Sequence, residues 1–324
     1  MIGREERLQT VLRELERRFG PWIVFRLKDA RPRVAGRSTS RSAPAETAAI
    51  STGSLSLDLA TGIGGFPRGR ISELIGPSGS GKSLFAFHLL ANAQQQNGFV
   101  AFVDATHRAN FEQMARCGIV LADLFLVVPE SAREALEVAA LLVESGGLDA
   151  LVLGPLADLV GESRQAGREA AEKVARLSAL LHESPTAVTF LSDLPVRSSA
   201  IPLSRALRHF SSLRIQITPL RPLLHPSGDV SGLRVRAETI KNRLAAAQRQ
   251  TELDLRRDRG VHQESDLVDL GLARAILEEL SAGICFGEQF LGRGRSRAVA
   301  ALEDDPVLAQ SISQALQKHL WVPG

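Results

Sequence analysis

The sequence contains no tyrosine, and among its 324 residues there are only two cysteines and two tryptophans. Cys117 and Cys285 are far apart and have no His/Cys cluster near them, so neither a disulfide framework nor a structural zinc site is indicated. Apolar runs of membrane-spanning length are also missing, and the first residues are charged, so we expect no membrane contact and no signal peptide. Together these features favour a cytoplasmic protein.

Lysine is scarce as well. Only five of the 39 basic residues are lysine, and the rest are arginine. Arginine favours planar, bidentate contacts with phosphate. A base-composition bias of the genome produces the same enrichment, and the formal net charge is only +3. Arginine content by itself therefore does not indicate nucleic-acid binding.

What the sequence does contain is a glycine-rich loop between a strand-like run at 70–75 and a helix-like run at 84–90. This is the context of a phosphate-binding loop, in which backbone N–H groups and a helix N-terminus surround phosphates. The alternative is a Gly/Ser-rich turn before a core helix. We predict Lys82 as the mobile cation and the Ser83 hydroxyl as a Mg²⁺ ligand. The predicted nucleotide-binding residues are Gly76, Pro77, Ser78, Gly79, Ser80, Gly81, Lys82 and Ser83.

Short apolar runs alternate with helical ones from about residue 50 onward. The runs lie at 71–75, 99–103, 124–128, 150–153, 187–191 and 213–217. Such alternation is typical of parallel βαβ units with helices on both faces, whose ligands bind at the carboxyl ends of the strands. The sequence therefore predicts an α/β core over 50–258 with a mostly parallel sheet flanked by helices.

Two segments precede this core. Apolar residues between Leu8 and Phe19 recur at helical spacing and predict an amphipathic helix over 5–19. Residues 31–49 are rich in Pro, Gly, Ser and Arg and predict a flexible basic linker. Because such a linker leaves the helix free to dock on another subunit, we interpret 1–30 as an oligomerisation helix. Packing on its own chain is the alternative.

The last part of the chain differs in pattern from the core. Residues 259–324 predict a small α+β C-terminal domain, with helices over 267–280 and 306–320 around glycine-rich turns.

Several runs resemble the bacterial RecA recombinase family in order and approximate spacing, and the resemblance extends over nearly the whole chain. They lie at 50–60, 64–71, 76–83, 101–107, 206–214, 241–243 and 266–271. The resemblance implies a RecA-like P-loop ATPase core that forms filaments on single-stranded DNA, with ATP bound between subunits. It also implies that Lys241 and Arg243 reach toward the neighbouring subunit's ATP. The alternative for these two residues is a basic, solvated strand end.

The departures from the RecA pattern fall at the catalytic, metal and sensor positions. Thr106 stands where the family has the glutamate that activates the attacking water, and Gly154 stands where it has the aspartate that holds Mg²⁺ through water. Asp193 aligns with the glutamine that senses the γ-phosphate, and Gln113 with the aromatic residue that stacks on adenine. Loss of the base or of the metal ligand commonly costs about 100-fold each. These departures from the family pattern together predict ATP hydrolysis near background.

Two other acids offer possible compensation. Asp104 ends a predicted strand and Asp158 follows Gly154 by one turn, so either of them is a candidate to approach the metal. The alternative is that Asp104 caps a turn and Asp158 is solvated.

The resemblance places two DNA-binding loops, one near 161–168 and one between Leu194 and Phe210. Arginine and serine in such loops give sequence-independent, salt-sensitive phosphate contacts, but the second loop lacks an aromatic stacking platform. We predict weak or partner-assisted binding of single-stranded DNA, with an ordinary solvated basic loop as the alternative. The candidate contacts are Arg164, Arg168, Arg197, Arg205 and Arg208.

These features predict a diverged RecA paralogue, similar in type to the ImuA-like accessory proteins of mutagenic translesion synthesis. We expect it to bind ATP and Mg²⁺ with little hydrolysis. It would act in DNA repair, recombination or the SOS damage response by assembling on single-stranded DNA, with itself, with a RecA filament or with translesion polymerase components. The alternatives are an active DNA-dependent ATPase that performs strand exchange and a structural partner protein with a vestigial P-loop.

Overall fold

The computed structural model describes residues 3–20, 23–26, 49–107, 109–160, 164–194, 200–225 and 227–320. The helices are α1 (Arg4–Phe19), α2 (Leu55–Thr61), α3 (Lys82–Gln95), α4 (Phe111–Arg116), α5 (Ala132–Glu144), α6 (Arg164–Leu180), α7 (Ile201–Phe210), α8 (Gln263–Ala273), α9 (Arg295–Asp304) and α10 (Pro306–Leu320). Short 3₁₀ turns lie at Leu121–Asp123 and Leu156–Asp158.

The strands are β1 (Val24–Arg26), β2 (Ala49–Ile50), β3 (Phe66–Pro67), β4 (Ile71–Pro77), β5 (Val100–Val103), β6 (Leu124–Val127), β7 (Ala150–Leu153), β8 (Ala187–Leu194), β9 (Leu213–Leu224), β10 (Val230–Asn242), β11 (Gln250–Arg256), β12 (Gly260–Val261), β13 (Glu278–Leu280), β14 (Gly283–Phe286) and β15 (Gln289–Gly292). Each of the six strands predicted from the apolar runs is present.

Ten strands form the central sheet, in the order β1-β6-β5-β7-β8-β4-β9-β10-β11-β12. The six strands from β6 to β9 in this order pair in parallel, and the strands at both ends are antiparallel. Helices cover both faces of the parallel part, which is why its strands read as continuous apolar runs rather than as an alternation. The predicted α/β class with a mostly parallel sheet is therefore confirmed.

Two hydrophobic clusters cover the two faces of this sheet. One cluster includes side chains of α1, α5, α6 and α7, and the other includes side chains of α2, α3 and α4. Helices that alternate between the faces hold the loops at the carboxyl ends of the strands in fixed positions, as doubly covered parallel sheets generally do.

Helix α1 packs on the core of its own chain. Leu8 and Leu15 have no exposed surface and belong to the same cluster as α5, and the Arg4 guanidinium contacts the Asp149 carboxylate at 2.7 Å. The buried leucines of α1 thus pack within the chain. The oligomerisation role of 1–30 stays a prediction, and a contact with another subunit would have to use other residues of this segment. The linker predicted over 31–49 lies, except for its last residue, outside the described residues.

A third hydrophobic cluster joins α8, α9, α10 and the small sheet β13-β14-β15. The buried Asp266 carboxylate accepts hydrogen bonds from the Ser54 hydroxyl at 2.8 Å and the Ser56 amide at 3.1 Å, which ties this part to α2. The predicted helix over 306–320 is present as α10.

The prediction of one helix over 267–280 is wrong at its C-terminal end. Helix α8 ends at Ala273, Ala275 has a φ of +54°, and the chain then enters β13. The Ile276 and Leu277 amides donate to the Gly271 carbonyl, which closes the turn. Strand β12 also extends the central sheet past residue 258, where we placed the end of the core.

Across the described part of the chain, every helix is too short or too polar to cross a membrane.

Candidate nucleotide site

The glycine-rich loop joins the end of β4 to the start of α3, as predicted. Gly79 and Gly81 have φ angles of +76° and +89°, in the region that residues with a Cβ rarely adopt. Gly76 is required for a different reason, because a Cβ there would lie 2.4 Å from the carbonyl oxygen of Ile217 on β9. The glycines therefore allow both the tight turn and the close packing of the loop on the sheet.

An open cavity of about 1010 Å³ lies over this loop at the carboxyl edge of the parallel strands. Ser78, Gly79, Lys82 and the exposed Ser83 line it. Helix α3 begins here without a side-chain cap, and the N-terminus of a helix favours an anion. Cavity, glycine cradle and helix N-terminus fit a nucleotide phosphate chain, and the Ser83 hydroxyl fits a ligand of its Mg²⁺.

Lys82 is buried, and its ammonium group is held close to the loop. Its Nζ donates to the carbonyl oxygens of Gly76 at 2.9 Å and Pro77 at 2.8 Å, and it lies 2.9 Å from Oδ1 of Asp193 on β8. Sequence reasoning placed Asp193 at the γ-phosphate sensor position but did not foresee this ion pair.

Thr106 lines the cavity, but its hydroxyl is directed at a neighbouring carboxylate. The Thr106 hydroxyl and amide both donate to Oδ1 of Asp104, at 3.1 and 3.3 Å, and the Ala109 amide donates to Oδ2 at 2.9 Å. Asp104 is 6% exposed, so its carboxylate caps the turn after β5. Asp104 thus makes the turn-capping contacts given above as the alternative to metal binding.

Gly154 follows β7 and closes against β5. Its amide donates to the Val103 carbonyl at 2.9 Å, and a Cβ at this position would lie 3.0 Å from that oxygen. The strand end that carries an acid in the family pattern therefore presents only backbone here. The side chain of Asp158 lies outside the described part of the structure.

Beyond these positions, the described residues contain no cluster of three or more His, Cys, Asp or Glu side chains arranged for a metal ion. Ser83 lines the cavity and is the hydroxyl of the loop that would hold a Mg²⁺ ion together with the nucleotide phosphates.

Sequence reasoning missed one wall of the cavity. Pro222, Val230, Gly232 and Leu233 of the β9–β10 hairpin line it, together with residues 255–257 at the end of β11. Prolines at 219 and 222 are unfavourable inside a long strand, because proline cannot donate to a ladder. Strand β9 accommodates both prolines in a hairpin that has register shifts against β10.

A buried ion pair supports the sheet beneath the loop. Glu73 on β4 is 1% exposed and accepts hydrogen bonds from the Ser192 hydroxyl on β8, at 2.6 Å, and from the Arg214 guanidinium on β9. The three strands that flank the loop are thus joined by one carboxylate, which fixes β8 and Asp193 relative to β4.

Lys241 and Arg243 lie at the opposite edge of the sheet from the phosphate loop. The end of β10 pairs with the start of β9, where Asn242 faces Leu213. Strands β9 and β4 are parallel, so the start of β9 lies at the amino edge of the sheet, whereas the loop follows the end of β4 at the carboxyl edge. Lys241 Nζ donates to the carbonyl oxygens of Arg208 and His209, and Arg243 also donates to His209. Burial, helped by the charges of Arg243 and Arg214, lowers the pKa of Lys241 to about 8.

The three predicted DNA-contacting arginines whose side chains the structure describes do not form one cluster. Arg168 is exposed near the start of α6, at the carboxyl edge, whereas Arg208 is exposed in the last turn of α7, beside Lys241 at the other edge. Arg205 is exposed on α7, three residues before Arg208. Arg197 and the side chain of Arg164 lie outside the described residues.

Comparison with known proteins gives a consistent result. Residues 6–262 match the RecA N-terminal domain family. The chain is 31% identical to Protein RecA of Oleidesulfovibrio alaskensis, with 98% of this chain and 92% of the relative covered, and 33% identical to Protein RecA of Gluconobacter oxydans, with 99% and 94% covered. The corresponding values for Protein RecA of Rubrobacter xylanophilus are 31%, 100% and 95%. The sheet, the phosphate loop and this near full-length similarity together show that the chain belongs to the RecA family.

Proposed function

We propose that this chain binds ATP and Mg²⁺ at the loop of residues 76–83 and uses the nucleotide for assembly, with little hydrolysis. Membership of the RecA family supports a role in DNA recombination or repair. The observation that carries the proposal is an intact phosphate loop in a cavity without the expected catalytic side chains. The Asp104 carboxylate caps a turn and accepts a hydrogen bond from the Thr106 hydroxyl, and Gly154 offers only backbone. A site of this kind holds phosphates but does not orient and activate a water.

The opposite positions of the phosphate loop and of Lys241 with Arg243 support assembly through the nucleotide. A subunit whose loop holds ATP would receive these two cations from the next subunit, and charge-assisted hydrogen bonds to phosphate would stabilise the contact. In the same proposal, single-stranded DNA, a RecA filament or translesion polymerase components are the partners on which the chain assembles in the cytoplasm during the damage response.

Sedimentation with and without a non-hydrolysable ATP analogue and Mg²⁺ tests this proposal. We expect larger species only when the analogue is present at saturation. Lys82→Ala should abolish the effect, because it removes the buried cation of the loop, and Arg243→Ala should abolish it without loss of nucleotide binding. Lys173→Ala is the matched control, because Lys173 pairs with Glu137 on α5, away from both sites. Absence of nucleotide binding by the unmodified chain would contradict the proposal and favour a vestigial loop.

The DNA role has its own test. Binding of a labelled single-stranded oligonucleotide should weaken steeply with salt, and charge removal at Arg168 and Arg205 should lower both the affinity and the salt slope. Unchanged affinity in Arg168→Ala and Arg205→Ala would contradict the placement of the DNA contact.

A further inference from the structure

Asp193 stands directly beside the phosphate loop. Strands β8 and β4 pair in parallel with Asp193 opposite Gly76, so the backbone of Asp193 is adjacent to the first residue of the loop. Its side chain is 37% exposed, lines the cavity, and places Oδ1 2.9 Å from the Lys82 ammonium. The carboxylate is therefore a wall of the nucleotide site rather than a remote surface charge.

The ion pair leaves Lys82 without a spare hydrogen bond. An ammonium group has three donors. Those of Lys82 are matched by the carbonyl oxygens of Gly76 and Pro77 and by the Asp193 carboxylate, all within 2.8 to 2.9 Å, with the Ser80 hydroxyl more distant at 3.4 Å. A terminal phosphate that needs this lysine must displace one of these partners.

In a bound nucleotide, the γ-phosphate would have different neighbours from the phosphates next to the loop. Backbone amides and the N-terminus of α3 surround the phosphates next to the loop, and they do so whether or not a third phosphate follows. In a phosphate loop the lysine reaches toward the β- and γ-phosphates. A γ-phosphate beside Lys82 would therefore lie close to the Asp193 carboxylate, and like charges a few ångströms apart repel.

The two arginines that line the cavity lie on its other side. Arg256 and Arg257 follow Leu255, whose side chain packs over Gly81, and β11 is separated from β4 by β9 and β10. Asp193 lies on β8, on the opposite side of β4. Arg256 contacts Asp258 at 3.3 Å and Glu303 at 3.5 Å, so its charge is partly balanced.

We propose that Asp193 makes this site selective for nucleoside diphosphates over triphosphates, because its carboxylate places a negative charge beside Lys82, where the γ-phosphate would bind. The inference rests on the proposed nucleotide binding and specifies its ligand class. It makes the diphosphate the form retained at low nucleotide concentration, and ATP the form that fills the site only at saturation.

Equilibrium titration with ADP and with a non-hydrolysable ATP analogue, each with Mg²⁺, tests the inference. We expect the unmodified chain to bind ADP at least about tenfold more tightly than the analogue, since a partly exposed carboxylate is screened but not neutralised. Asp193→Asn, which keeps the shape and removes the charge, should tighten analogue binding about tenfold and change ADP binding much less. Asp193→Ser is a second neutral variant in case the first unfolds. Asp304→Asn, an exposed residue of α9, controls for the change in net charge.

The outcomes are distinguishable. Equal affinities for the two nucleotides in the unmodified chain would overturn the selectivity and leave the proposed nucleotide binding intact. A loss of analogue affinity in Asp193→Asn would also overturn it, because it would mean that the carboxylate supports the metal-bound triphosphate. Failure of both nucleotides to bind would overturn the selectivity and the proposed function together.

Discussion

At the scale of single residues, the phosphate loop depends on glycine for packing as well as for backbone freedom. Gly76 has no positive φ, so its requirement follows from close packing, above all from β9, whose Ile217 carbonyl oxygen occupies the space of a Cβ. A backbone oxygen within a paired strand cannot move aside as a flexible side chain can. The residue that sequence reasoning assigned to phosphate binding is thus also a packing residue.

Gly76→Ala should therefore lower the free energy of unfolding by about 1–3 kcal/mol or more, the usual cost of an overpacked core. Denaturant unfolding monitored by circular dichroism measures it. Ser78→Ala in the same loop is the control and should stay within about 0.5 kcal/mol, because Ser78 is exposed. Equal stability of the two variants would contradict the close approach of β9.

A buried histidine gives a pH-dependent prediction. His88 on α3 accepts a hydrogen bond from the Val261 amide at 2.9 Å, and burial lowers its pKa to about 4 from 6.5. The unfolded chain binds a proton at this residue below pH 6.5 and the folded chain does not. The stability that neutral His88 contributes is therefore present above pH 6.5 and is lost as the pH falls toward 4.

His88→Gln keeps an acceptor for the amide and removes the titration. The difference in unfolding free energy between the unmodified chain and this variant should change by at most about 1.4 kcal/mol per pH unit between pH 6.5 and 4. Denaturant unfolding at several pH values measures this difference. A difference independent of pH would show that His88 titrates in the folded state as it does in the unfolded one.

At the scale of elements, helix α1 is a part of the core. Leu15→Ala should cost about 2–5 kcal/mol, as is usual for a fully buried leucine. Because the contacts are within one chain, the loss should not depend on protein concentration, which unfolding curves at two widely spaced concentrations will show. Glu16→Ala, on the exposed side of the same helix, is the control. A loss that grows on dilution would instead place α1 on a neighbouring subunit.

The elements that the sequence predicted are those whose signal is local. The strands of the parallel sheet are short apolar runs covered on both faces, and the loop at 76–83 lies between one such strand and a helix whose residues are mostly buried. The β9–β10 hairpin was missed because its prolines suggest an irregular segment, and its partner strand is set by tertiary pairing. The Asp193–Lys82 contact joins residues 111 positions apart, and only the parallel pairing of β8 with β4 brings them together.

At the scale of the whole molecule, the phosphate loop and the Lys241–Arg243 pair occupy opposite edges of one sheet. A contact that joins one edge to the other is head-to-tail. Such a contact generates an open chain of subunits unless the rotation closes a ring. The proposed assembly is therefore a filament or a ring rather than a two-fold dimer.

Mixing two assembly-defective variants tests this arrangement. Lys82→Ala keeps an intact Lys241–Arg243 edge, and Arg243→Ala keeps an intact loop. The loop of one Arg243→Ala subunit can therefore contact the edge of one Lys82→Ala subunit, and the two remaining surfaces of this pair are defective. With a saturating ATP analogue, the mixture should form heterodimers and stop there, whereas each variant alone stays unassembled. Sedimentation with one variant labelled measures this. Failure of the mixture to associate would contradict a head-to-tail contact through these residues.

In the proposed function, nucleotide serves assembly and is not cleaved at a useful rate. Phosphate release at saturating ATP, with Mg²⁺ and single-stranded DNA present, tests it most directly. We predict release at background, equal to that of Lys82→Ala, from a chain that binds the ATP analogue in the same buffer. DNA-stimulated release that Lys82→Ala abolishes would contradict the claim and identify the chain as an active ATPase.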